Sequence, residues 1–565
     1  MDNTKVEPQV KSTIDGDVSA GETIVLTKDE QHLAKLGYKQ EFFRHLGLFE
    51  NWAATYIAMN FVSGMPVLFG FAMYTGGPKA AFANWTMIGG HVNTYRAPLY
   101  TPFRTNYMRM WVLTASRLSF IVSLAMAEIA AAFPTAGGIY FWSYSLGGNK
   151  YGPILSWMTA WWNWVGWICV VPGVQQGATN FLLSALEIKY PDSSVITQGW
   201  FAWLLTAIGM VFAMLPNVFS QRVLRLYFRF AVFIFFVLFA FYWIWFPVKA
   251  AGKFQSASVV FGRFYNGINE GTEKQASDSY AWVIGILFGA WEFYGYDSSA
   301  HLAEETHEAS DTVAKGIWGA TLSAWLLSVP TLIMVLFCMQ DFDAIISANY
   351  TNNWAEYLIQ LLGENAAVAV LAILWIDSTC ATASCFMSAQ RVTFAISRDG
   401  VLPFSKYFRR LNHNRIPVHA ALLVFSLSIA ITCAVIGSTV AFSAITATAT
   451  IATNFSYLIP IAARHTIGQC DFQPASFNLG SYSVIIGTIS GLYIMFQFVV
   501  LLLPQLYPVT SETLNYAPIC IGIVTIVSLV GWILPFGLGG RHWFTGPKRT
   551  IDGNDSGEGE PEREK

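Results

Sequence analysis

Apolar residues along this chain come in blocks of about twenty, the length at which an α-helix crosses a hydrocarbon core of about 30 Å. Twelve blocks are readable: 51–76, 84–90 joined with 118–133, 154–185, 197–216, 226–248, 280–300, 314–338, 366–392, 418–437, 440–462, 482–504 and 517–536. The pattern predicts an all-α polytopic membrane protein of 12 transmembrane helices. It divides the chain into an N-terminal tail (1–48), a transmembrane domain (49–540) and a C-terminal tail (541–565) whose "IDGNDSGEGEPEREK" favours disorder. The third block, long for one span and short for two, is expected to be one tilted helix kinked near Pro172.

Charge orients the blocks. "SQRVLRLYFR" and "QRVTFAISRDGVLPFSKYFRRLNHNRIPVH" are rich in Arg, whereas "QDFDAIISANYTNNWAEYLIQLLGEN" and "PQLYPVTSETLNYAP" contain no Lys or Arg. By the positive-inside rule both termini are cytosolic. The loop at 249–279, with four Lys and Arg residues, runs against this orientation. Asn349 begins an Asn-Tyr-Thr sequon on the predicted outer side and is a candidate glycosylation site.

One stretch interrupts the pattern. "HVNTYRAPLYTPFRTNYMRMWVLTASR" (91–117) separates "WTMIGG" from "LSFIVSLAMAEIAAAF", two pieces that joined give 22 residues, one proper span. The insert also places four Arg and no acid in a loop that should lie outside. It reads as foreign to the fold, a retained intron or mis-predicted exon, or else as a family-specific outer loop.

Composition narrows the function. The chain of 565 residues is 54% hydrophobic and only 12% charged, where soluble domains carry about 25%. A net charge of −2 offers no basic surface for nucleic acid. Seven cysteines without a CxxC pair and nine scattered histidines suggest neither a metal site nor a disulfide framework. The chain has no GxxxxGK[ST], HExxH or GxSxG, so it is expected to be neither ATP-driven nor a membrane hydrolase, and not an enzyme.

Two spans look broken. The first, "NFVSGMPVLFGFAMYTGGP", has Ser63-Gly64-Met65-Pro66 near its middle; Pro66 cannot donate to a helix ladder and Gly64 admits close approach of a ligand. The sixth runs from "YAWVIGILFGA" directly into "WEFYGYDSSAHLAEE", placing Glu292 and Asp297 around Gly295 at membrane depth. Carboxylates there cost several kcal/mol and mark function. Each glycine alone is as readily a helix-packing residue. Together, breaks in corresponding spans of two five-span halves point to a transporter binding site. Asp377, about eleven residues into the eighth span, shares a helical face with 380/381, 384 and 388 that should point inward. Glu128 reads as structural, and the tryptophans of "WMTAWWNWVGW" as packing residues and interface anchors, one of them able to line a cavity.

"LAKLGYKQEFFRHLGLF", "GGP", "AMAEIAAAFPTAGGIYFWSYSLGG", "GYDSSAHLAEET" and "AISRDGVLP" resemble the amino acid–polyamine–organocation superfamily, closest to its GABA-permease, choline and bidirectional amino-acid transporter branch. The resemblance runs from about residue 33 to 536, excepting 91–117. It implies a five-plus-five inverted repeat with broken helices 1 and 6. It implies that backbone amides around Ser63 to Met65 hold a substrate carboxylate, that Trp291 covers the substrate, and that Asp297 takes part in gating. Glu292 departs from relatives that carry a small polar residue and favours a strongly cationic group, for which Trp291 and Phe293 offer π faces. The expectation is a secondary active transporter of amino acids or GABA, with no cofactor beyond a coupled proton. Choline or a polyamine is the runner-up, and a non-transporting nutrient receptor on the same fold is the rival class. The plasma membrane is expected in preference to the vacuole.

Overall fold

The computed structural model describes residues 27–38, 40–86, 118–135, 137–269, 275–437, 440–469, 472–511 and 513–547. The interrupting segment 91–117 and the tail beyond 547 lie outside the described residues. The described chain is helical nearly throughout. Eight of its helices are long and apolar enough to cross a membrane: Gly138–Lys189, Gly199–Phe219, Gln221–Ala250, Ala309–Cys338, Glu364–Arg398, Val418–Gly437, Ala441–His465 and Gly480–Leu501. Leu118–Ala132 and Ala517–Ile533 are shorter apolar helices. This is a multi-pass membrane protein.

The spans differ in what they face. Ala441–His465 and Gly138–Lys189 bury 83% and 67% of their apolar windows, against 28% for Val418–Gly437, so the first two form the centre and the last faces lipid. Small residues let the central pair approach. A Cβ added to Gly166 would lie 2.8 Å from the Thr453 backbone nitrogen, too close for any side chain. Inside Gly138–Lys189 the non-helical φ/ψ falls at Gly148 (φ 61), where glycine has no Cβ penalty, and Pro172 lies within continuous helix.

Both expected breaks are present, and the first lies elsewhere than its sequence suggested. The first span divides into Leu48–Met59, Phe61–Val67 and Phe69–Tyr74, with non-helical backbone at Asn60 (φ −5, ψ 75) and Leu68 (φ −108, ψ 15). Ser63, Gly64, Met65 and Pro66 sit inside the short middle helix, and the Gly64 N–H is bonded to the Asn60 carbonyl at 2.8 Å. Asn60 breaks the helix because its amide turns away to a partner on another span. At the other end, Asn352 Nδ2 donates to the carbonyls of Pro66 (3.2 Å) and Val67 (3.4 Å). The sixth span runs Asp278–Ile284 and Leu287–Glu292, then leaves the helix from Phe293 until Ser298–His301. Gly295 (φ 76) makes that turn, with Trp167 3.3 Å from where its Cβ would be.

The described part of the N-terminal tail is held against the bundle. Lys28–Lys35 is a helix started by a Thr27–Glu30 capping box, and Leu33, Tyr38, Phe42 and Leu46 are buried. Asp29 accepts from Glu308 N (2.8 Å) and Ala309 N (3.2 Å), capping the Ala309–Cys338 helix. Leu46 pairs in parallel with Thr306, while Arg391 Nε meets Glu305 Oε1 at 2.7 Å with both side chains buried. Removing one partner of a buried pair strands the other charge, at about 3–5 kcal/mol. R391A is therefore expected to lower thermal stability in detergent strongly, and R391A/E305A to recover part of the loss; a thermal-shift series checks both.

Candidate functional site

Two carboxylates converge on the short helix at the first break. Asp377, from Glu364–Arg398, accepts from Asn60 Nδ2 at 2.7 Å, and Ser63 faces the same carboxylate. Glu292, the last residue of Leu287–Glu292, lies against Gly64: a Cβ there would stand 2.1 Å from Glu292 Oε2. Only glycine makes room for this contact. Asn60 and Gly64 are four residues apart, so the two carboxylates address one turn of backbone. Both acids are buried, and Asp377 Oδ1 and Glu292 Oε1 have no hydrogen-bond partner. Neither forms an ion pair with a protein cation among the described residues.

The aromatic arrangement differs from the sequence expectation. Trp291 pairs with Tyr294 at a centroid distance of 5.1 Å and reaches helix Gly138–Lys189 at Gly173, beside Ile445 and Thr446. Phe293 turns away and packs edge-on against Trp85 at 5.8 Å, so it forms no box with Trp291. Residues two apart do not share a face of a helix, and the irregular turn that begins at Phe293 does not bring the two rings together either.

Asp297 lies past Gly295 and gathers four donors. Its Oδ1 accepts from Tyr457 OH at 2.7 Å. Its Oδ2 meets His301 Nε2 at 2.9 Å, Trp167 Nε1 at 3.1 Å and Asn163 Nδ2 at 3.3 Å. The acid thereby ties the broken span to both central helices. Ser298 and Ser299 continue the seam, bonding Ser388 Oγ (3.0 Å) and Thr55 Oγ1 (2.6 Å). Ser384 donates to the Ala54 carbonyl at 2.6 Å, so the face of Asp377, small residues and serine does point inward.

Other expected positions are simply placed. Ser63 and Met65 are buried beside the break. Asn349 is exposed on the 348–353 loop, while Thr351 is held by Glu187, its N–H bonded at 2.8 Å. Glu128 accepts from Leu479 N at 3.1 Å and from the Ser483 hydroxyl, a structural tie. Among the described residues no group of His, Cys, Asp and Glu is arranged to hold a metal. A cleft of about 260 Å³ opens elsewhere, between Gly70, Tyr74, Ile345 and Leu506, and none of the carboxylates above lines it.

Sequence reasoning passed over Asn60, Asn163, Tyr294, His301 and Tyr457 as site residues and left Trp167 among packing tryptophans. The available signal was polar groups inside apolar blocks, Asn60 before the first break, Asn163 in "WWNW" and His301 after the acid, each of which needs a partner in hydrocarbon.

A helical bundle with two interrupted spans around buried, partly unpartnered carboxylates is the architecture of a membrane transporter. The amino acid permease family matches residues 49–526, and the chain belongs to that family. It is 27% identical to amino-acid permease BAT1 of Arabidopsis thaliana over 547 residues, covering 93% of this chain and 98% of that one. It is 29% identical over 548 residues to the BAT1 homolog of Oryza sativa subsp. japonica, with 92% and 96% coverage. It is also 27% identical over 530 residues to the thiamine transporter thi9 of Schizosaccharomyces pombe, with 89% and 85% coverage.

The Gly64–Glu292 contact makes a stability prediction. G64A should destabilise the native background more than an E292A background, where the obstructing carboxylate is gone. Contacting residues couple by roughly 0.5–3 kcal/mol; equal shifts of melting temperature in both backgrounds would count against the contact.

Proposed function

We propose that this protein is a secondary active transporter that moves an amino acid or GABA by alternating access, driven by protons. The observation that carries the reading is the pair of buried carboxylates, Asp377 and Glu292, each with an unpartnered oxygen and without a protein cation. Buried anions left alone are expensive, so a cation entering from the solute side relieves them. The first N–H groups of the turn after Asn60 lack intrahelical acceptors and suit the solute's carboxylate. Trp291 and Tyr294 offer ring faces to its ammonium, worth about 0.5–2 kcal/mol each. We read the spans as twelve, in a five-plus-five inverted repeat, with the plasma membrane preferred to the vacuole.

A second reading has its own support. Glu292 adds a formal negative charge, and one relative is named as a thiamine transporter. Both favour a strongly cationic amine without a carboxylate, such as choline or a polyamine.

Uptake into vesicles with competition by a panel of amines tests the readings. Carboxylate-bearing amines should displace label better than choline, and E292Q should weaken amine binding by about tenfold or more, about 1.4 kcal/mol. Displacement by choline alone would transfer the assignment to the second reading. Binding without accumulation would indicate a receptor.

A further inference from the structure

Resting on the proton-driven reading above, we propose that His301 is the group that carries the coupled proton, with Asp297 as its fixed counter-charge. The pair is sealed: His301 Nε2 and Asp297 Oδ2 are 2.9 Å apart, with side chains 1% and 0% exposed. The other partners of Asp297 decide the tautomer. Trp167 Nε1 and Asn163 Nδ2 can only donate, so Oδ2 is an acceptor, and Tyr457 OH donates to Oδ1. In a neutral imidazole, Nε2 then holds the hydrogen and Nδ1 presents a bare lone pair. That Nδ1 is buried and has no hydrogen-bond partner.

The residue packed in front of Nδ1, Gly138, has no side chain. A Cβ there would stand 3.2 Å from Nδ1; its φ of +51 also disfavours any other residue. A proton arriving from one side of the membrane binds this lone pair, the imidazole becomes imidazolium, and no other bond is made or broken. Release to the opposite side restores the neutral ring. Asp297 offsets the added charge at a distance where the low-dielectric surroundings keep the attraction strong.

The setting contains few competitors. The phenol of Tyr457 comes from Ala441–His465, the Tyr296 ring lies tilted beside it at 5.0 Å, and Cys385 is buried on Glu364–Arg398. On the following turn Glu304 and Glu305 meet Arg398 (3.5 Å) and Arg391 (2.7 Å). From Leu48–Met59, Asn51 and Thr55 engage Ser299, and Glu50 pairs with Arg229. On Ala309–Cys338, Asp311 and Lys315 pair with each other. Among the described residues His45 also has an unpartnered ring nitrogen near this seam, its Nε2 3.8 Å from the Glu305 carboxylate, whereas His301 Nδ1 faces Gly138 and no acid.

Geometry also supplies the coupling. Asp297, Trp167 and Gly295 form one contact set, and Gly295 is the turn that separates Glu292 from His301. A change of charge at His301 loads the same backbone turn whose other end presents Glu292 to the solute. Two sites acting on one bistable element influence each other reciprocally.

The test is H301Q in proteoliposomes, since a glutamine amide can donate to Asp297 but cannot carry a proton. With one coupled proton, a membrane potential of about 100 mV sustains roughly fiftyfold accumulation of a net-neutral amino acid. H301Q should stop at about onefold while still exchanging internal for external substrate, and the pH dependence of its KM should flatten. Accumulation and pH dependence like those of the parent would overturn the proposal. If the parent itself ignores an uncoupler, the proton-driven reading fails instead, and visibly so. Should H301Q not fold, substrate-induced infrared difference spectra of the parent decide: imidazole bands are expected, and their absence overturns the assignment.

Discussion

Charge in a low-dielectric interior is the constraint on which this structure turns. A carboxylate in hydrocarbon must be given donors, a cation, or a proton, and the three acids near the breaks meet that demand differently. Asp297 is saturated by four donors from three segments. Asp377 has one firm donor, Asn60, and one free oxygen. Glu292 rests on a glycine with a free oxygen of its own. The gradient from satisfied to unsatisfied separates the acid that ties the bundle together from the two acids with a free oxygen beside the first break.

The breaks follow from the same demand. A helix satisfies its own backbone and leaves its side chains to find partners, so a span that must donate an amide to Asp377 gives up its regular path at Asn60. Asn352 then answers the carbonyls freed near Leu68, which gives a structural purpose to a loop outside the spans. On the predicted inner face, buried Arg–Glu pairs and the docked residues 27–38 and 40–46 hold the end of the bundle by similar means. These polar groups are met by neighbours from distant parts of the chain, whereas Asp377 Oδ1 and Glu292 Oε1 are not.

Much of this was legible without coordinates. Block length and apolar content determine that the chain is a bundle of membrane helices, because water and lipid sort residues by local composition alone. The acids at 292, 297 and 377 were visible as chemistry in the wrong solvent, and the interruption after Glu292 was visible as glycine and aromatic residues where a helix should continue. Those signals are local, and the structure buries all three acids and ends the helix at Glu292.

What required the tertiary structure was every partner. Sequence placed the first break at Ser63–Pro66, but the helix parts at Asn60, since the deciding bond reaches a residue 317 positions away. Phe293 had the composition of a cation box and packs instead against Trp85, a contact between distant segments that composition does not specify. His301, Trp167, Asn163 and Tyr457 lie on three segments and become one network only when Gly166 lets the central helices touch. Composition says which residues need a partner in the membrane; packing alone says which partner they find.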